Sequence, residues 1–186
     1  MALISAHGSF TISYSIHDTW TELFLGTRRL IYEIIPPVGQ RLTAEERAMC
    51  QLALIGANQL MEITLYKILI PYAEDSKKFA KFTTTLLEEA SYNKMMKNWL
   101  PVITGTHLNF NEEPFKSTER LRKQRNDTIH KTPAYTTNAM ARSAIFSSVE
   151  GTIALYQVFG IAFPYRDWLD RYPQQIEEPF SSVAFP

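Results

Sequence analysis

Cysteine is almost absent from this 186-residue chain, Cys50 being the only one, so an internal disulfide framework and every multi-cysteine metal site are excluded. Excess charge is absent as well. Nineteen Lys and Arg balance nineteen Asp and Glu, so no global field draws the chain to nucleic acid or anionic membrane, and any such affinity must come from a local patch. Glycine is sparse, with seven residues and no glycine-rich phosphate loop, which argues against a nucleotide triphosphatase. The opening "MALISAHGSF" is too polar for a signal peptide, and no apolar run reads as membrane-spanning, so the expectation is a cytoplasmic protein with no membrane partner. No segment combines low hydrophobicity with high net charge, and the 11 Phe, 9 Tyr and 3 Trp are those of a folded chain. The length suits one well-filled core, hence a single domain over residues 1–186.

What is present is mostly helical periodicity. "SFTISYSIH" alternates Phe10, Ile12, Tyr14 and Ile16 with polar residues and reads as a short N-terminal strand or arm. "TWTELFLGTRRLIYEII" follows, with Thr19 and Glu22 in capping-box spacing and Pro36-Pro37 as its stop. A second capping pair, Thr43 and Glu46, opens "LTAEERAMCQLALIGANQLMEITLYKILIPYA", which is apolar almost all round and therefore the central helix of a bundle. Gly56 and Ala57 would let a neighbouring helix approach it closely, while Glu62 and Lys67 interrupt its surface and read as edge residues that snorkel to solvent or a partner. Cys50, on the same helix, reads as a small core residue. Further helices are expected over "SKKFAKFTTTLLEEA", over "YNKMMKNWL" up to Pro101, from Glu112 to Thr132 with Asn111 as cap, and over "TTNAMARSAIFSSVEGTIALYQVFG". The remainder holds at most one short helix around Arg166 to Tyr172 and reads as an extended tail packed on the body. The expected architecture is all-α: an up-and-down bundle of four core helices plus an extra N-terminal helix.

One helix differs from the rest. Between Glu112 and Thr132 the only large apolar residues are Phe115, Leu121 and Ile129, while Lys116, Arg120, Arg122, Lys123, Arg125 and Lys131 make it the most basic stretch of the chain. By composition it is a solvated face with ordinary intrahelical pairs such as Glu119 with Lys123. The order of residues in "RNDTIH" points further. Asn126 and His130, four apart, stack on one helical face, and Arg125, about 100° round the wheel, is long enough to lean toward them. His7, His17 and His107 have no partner at metal-ligand spacing, so no metal or other cofactor is expected.

An arginine followed directly by Asn126 and, five positions on, by His130, then a helix-ending turn and a long amphipathic helix, all preceded by "ANQLMEITLYKIL", resembles the HEPN superfamily of higher-eukaryote and prokaryote nucleotide-binding proteins. The resemblance covers about residues 43 to 160, leaving the N-terminal arm and helix (1–37) and the tail (161–186) outside it. Glu62 and Lys67 sit where family members often carry a glutamate and a lysine, a looser match. Thr132 stands where a subset acting with a nucleotidyltransferase antitoxin has tyrosine, which counts against membership of that subset.

The resemblance implies a metal-independent endoribonuclease of the toxin–antitoxin or antiviral defence kind. Its catalytic residues would be Arg125, Asn126 and His130, with Arg122, Lys123 and Lys131 tracking the RNA backbone. It also implies a homodimer, in which two motifs face each other across a two-fold axis, and an antitoxin protein as a further partner. The chemistry suits these side chains. Histidine exchanges a proton near neutrality, and arginine holds phosphate oxygens in bidentate fashion as charge builds on them. The alternative is a non-catalytic helical module that binds a protein partner or nucleotide with the same polar face.

Overall fold

The computed structural model describes residues 18–75, 91–130, 135–175 and 178–183. The expected N-terminal strand and the helix expected over residues 76–90 lie outside these. Among the described residues the protein is an all-α helical bundle with no strand. Its helices are α1 (Thr19–Arg29), α2 (Ala44–Asp75), α3 (Tyr92–Lys94), α4 (Leu100–Thr104), α5 (Phe115–His130), α6 (Asn138–Val158) and α7 (Arg166–Arg171). Wide π-helical turns extend α1 over Leu30–Ile34 and join α3 to α4 over Met95–Trp99.

The 32-residue α2 is the axis of the bundle: α6 makes its most extensive contact with it, and α1 and α5 pack on its other flanks. Leu54, Leu60, Met61, Leu65, Ile68 and Leu69 are buried, as an apolar central helix requires, whereas Leu52 faces out. Each fully buried large side chain contributes roughly 1.5–3 kcal/mol by leaving water. By length and composition alone α2 is long and apolar enough to cross a bilayer, contrary to the expectation that no segment is, and most of its apolar stretch is buried inside the bundle, as in any core helix. Its start follows the sequence closely. Glu46 N–H donates to Thr43 Oγ1 (3.2 Å) and Thr43 N–H to Glu46 Oε2 (2.7 Å), a complete capping box.

Other boundaries differ from expectation. Asp18, not Thr19, caps α1: its carboxylate accepts from Trp20 N–H (3.1 Å) and from the Tyr165 hydroxyl, and forms an ion pair with Lys67. Lys67 thereby joins α2 to the start of α1 and to the tail. Pro101 does not end the helix before it. The π-helical turn shifts the hydrogen-bond register, Pro101 falls in the first turn of α4, where no donor is missed, and Gly105, at φ 75°, ends the helix. The basic helix begins at Phe115 instead of Glu112, and Glu113 rather than Asn111 accepts from its first turn, through Ser117 N–H (3.3 Å).

Two glycines set the helix spacing. A methyl carbon at Gly56 would lie 2.5 Å from Thr27 Oγ1 of α1, and one at Gly151 would lie 2.5 Å from Thr118 Cγ2 and 2.7 Å from Met61 Sδ. α1, α2, α5 and α6 therefore approach closer there than any side chain allows.

The C-terminal tail belongs to the body, as its composition suggests. Tyr165 stacks on Trp20 (ring centroids 4.2 Å), and Trp20 stacks on Phe24 (5.3 Å). Further on, Phe180 is fully buried with its N–H donating to Ser147 Oγ (2.8 Å), while Ser181 N–H donates to Ser117 Oγ (3.0 Å). Cys50 is buried too. Desolvation, reinforced by Glu46 and opposed by Arg142, pushes its thiol up to about 11, so it stays protonated and inert.

Candidate functional site

Only the first half of α5 is bound into the core. Phe115, Ser117, Thr118 and Leu121 are buried, and Arg120 reaches the tail, donating to the carbonyls of Ser181 and, at 3.1 Å, Val183. From Arg122 onward no residue of α5 is buried; Ile129 is the one large apolar side chain and it is 44% exposed. A helix end so polar is held by the half that precedes it, not by its own packing.

The three candidate catalytic residues share this end. Arg125 leans toward Asn126, donating from Nη1 to Asn126 Oδ1 at 3.1 Å. Its Nε is buried without a hydrogen-bond partner, as is the Thr128 hydroxyl. Asn126 is half-buried, and His130, on the last residue of α5, is exposed. The guanidinium and the amide meet. No hydrogen bond joins the imidazole to either of them among the described residues.

The candidate RNA-binding residues divide. Lys123 is exposed, and Lys131 lies outside the described residues. Arg122 is already engaged: Nε and Nη2 donate to Glu119 Oε2 and Oε1, both at 3.0 Å, a two-pronged pair that Lys97 Nζ joins at 3.4 Å. Glu119 thus pairs with Arg122 three residues on, not with Lys123 at four. Burial pushes the Glu119 carboxyl up, but the hydrogen bond and charge of Arg122, with Lys97 beside it, outweigh that and hold it below the usual carboxylate range.

This pair borders a polar seam between α5, α3 and α2. Burial, then the Glu62 and Glu119 carboxylates, raise the Tyr92 hydroxyl well above the ordinary tyrosine range, against the pull of Arg122, so it is a neutral hydrogen-bonding group at any physiological pH. Glu62 accepts from Asn58 Nδ2 (2.9 Å) and Gln59 Nε2 (2.8 Å) of its own helix, so it is an anchored acceptor rather than a residue reaching for bulk water. The 119/122 spacing was visible in the sequence. The participation of Lys97 and Tyr92, some 20 to 30 residues upstream, carried no local signal.

No group of three or more His, Cys, Asp or Glu with metal-holding geometry occurs among the described residues. Comparisons with family models, curated proteins and solved structures find no match to this chain.

Proposed function

We propose that the exposed end of α5 is the working face of a metal-independent endoribonuclease, with Arg125, Asn126 and His130 as its reactive set. What carries the reading is the contact between Arg125 and Asn126 one turn before an exposed histidine, on a helix end that has almost no apolar packing to explain its residues. In this reading His130 accepts the proton of a ribose 2′-hydroxyl as its oxygen attacks the adjacent phosphorus. The bond from phosphorus to the 5′-oxygen breaks, leaving a 2′,3′-cyclic phosphate, and the 5′-oxygen takes up a proton to become a hydroxyl. Arg125 neutralises the charge that builds on the phosphate oxygens, its orientation fixed by the Asn126 amide. Lys123 is the exposed cation beside them for the RNA backbone.

One helix supplies one histidine, whereas the reaction uses both a base and an acid. A homodimer pairing two α5 ends across a two-fold axis provides the second, and exposed Ile129 gives that contact an apolar element. A toxin or antiviral defence role in the cytoplasm, with an antitoxin protein as regulator, is the biological setting this chemistry fits.

The test is cleavage of single-stranded RNA with EDTA present. His130→Ala is expected to lose roughly 10²- to 10⁴-fold in rate and Arg125→Ala a comparable amount. Equal cleavage by wild type and both variants would sink the proposal, as would a strict monomer by light scattering with RNA bound. The engagement of Arg122 by Glu119, which Lys97 also joins, is the observation favouring the second reading, a non-catalytic module binding a protein or nucleotide, for which wild type would bind RNA or nucleotide and leave it intact.

A further inference from the structure

Neither Arg125 nor His130 lines the open cavity that lies between the start of α2 and the start of α6, about 240 Å³ in volume. Its walls are built. Gly39, at φ 94°, turns the chain so that Gln40 N–H donates to Pro37 O (3.4 Å), and Asn138 Nδ2 clamps that turn to α6 by donating to Pro36 O (3.1 Å) and Pro37 O (2.6 Å). The opposite wall is fixed by the capping box of α2 and by Arg47 Nη1, which donates to Leu42 O (2.8 Å).

The lining has one sign of charge. Arg41 and Arg47 both border the cavity, both are exposed, and no carboxylate is among the lining residues. Neither arginine forms an ion pair with a described residue. Glu46, in the same turn of α2, is occupied by the Thr43 N–H. The positive end of the 21-residue α6 adds to the field, although its own side chains take two of its first donors: Thr137 Oγ1 accepts from Met140 N–H and Asn138 Oδ1 from Ala139 N–H. Thr136 adds a polar group to the same wall. It lines the cavity, is 3% exposed, and its hydroxyl donates to and accepts from no other described residue, so it is free to bond whatever enters the cavity.

We propose that this cavity is a binding site for a phosphoryl group, gripped by Arg41 and Arg47 and reached from within by the Thr136 hydroxyl. Two guanidiniums bring more donors than a planar carboxylate can accept, whereas a tetrahedral phosphate has oxygens for both and for the hydroxyl. The chemistry is shared by a phosphomonoester and by a nucleic acid backbone. The site stands apart from the ribonuclease reading, but it is joined to that helix: Gln124, the residue before Arg125, donates from Nε2 to Tyr135 O (3.0 Å) at the cavity rim.

Calorimetric titration of the full chain tests it, with three probes: inorganic phosphate, a nucleoside 5′-monophosphate, and a 2′-O-methyl RNA oligonucleotide with and without a 5′-phosphate. At least one probe is expected to saturate. Arg41→Ala should raise its Kd about threefold or more with Tm unchanged, and Arg41→Ala/Arg47→Ala about tenfold or more with a small fall in Tm from the lost Leu42 contact, while Thr136→Val should raise it about threefold and Thr136→Ser keep wild-type binding. Binding of the oligonucleotide regardless of its end group identifies a backbone phosphate, and dependence on the 5′-phosphate identifies a monoester. His130→Ala should leave phosphate binding intact, which separates this site from the α5 motif. No binding of any probe at about 10 mM, or the same Kd in the double arginine variant, overturns the proposal.

Discussion

The two halves of α5 carry similar charge and do opposite things with it. In the first half, Arg120 spends its donors on tail carbonyls, Ser117 accepts from Ser181, and Phe115 and Leu121 enter the core. In the second half, Arg125 hydrogen-bonds its neighbour Asn126 and no other described residue, and Lys123 and His130 are exposed. A count of cations along the helix would treat them alike. The partner, not the charge, separates an arginine that ties α5 to the tail from one that leaves its end of the helix untied.

The sharpest way to break this contrast is to remove the tail's anchor. Phe180 is fully buried, and Phe180→Ala should lower stability by about 3–5 kcal/mol, read as a shift in urea midpoint. Little change would mean that the tail does not clamp the first half. Smaller, but on the same axis, is Arg120→Ala, expected to cost about 2 kcal/mol because two tail carbonyls lose a charged donor; Lys123→Ala, three residues on, should stay within about 0.5 kcal/mol. Equal losses for the two would erase the distinction between halves.

The smallest expected effect sits at the boundary. Glu119 has its folded-state acidity strengthened by Arg122, so its contribution is present at neutral pH and fades as pH falls below the ordinary glutamate value of about 4.3 and through the lower folded value. Glu119→Gln should therefore flatten the acid limb of the stability curve between pH 5 and 3, as followed by thermal melts, and leave the curve's shape above pH 6 unchanged. An unaltered acid limb would show that the pair contributes nothing measurable.

Local signals were read well from the sequence and distant ones were not. The Thr43/Glu46 box spans four residues and is complete in itself, so its pattern and its geometry coincide. At α1 the same pattern, Thr19 with Glu22, yields to Asp18, an acidic residue at the helix start whose carboxylate caps Trp20 N–H locally and is also reached by Tyr165 and Lys67 from far off in the chain. Pro101 reads as a stop until a π-helical turn supplies the register in which it opens a helix. The lean of Arg125 toward Asn126 was legible from side-chain length and helical angle. The arrival of Lys97 on the Glu119 carboxylate that already holds Arg122 was not, since Lys97 enters from another element. The arginines at 41 and 47 form a common wall only because a glycine turn and Asn138 fold the loop back onto α6.

Gly151 gives this arrangement a fulcrum. Because only hydrogen fits between α6 and the Thr118 and Met61 side chains, the tilt of α5 is decided more than a full helical turn away from Arg125 and His130. Alanine there would act as a wedge under a lever, pressing on Thr118 and Met61 and so on the angle of the unsupported end, with no change to the sequence of that helix.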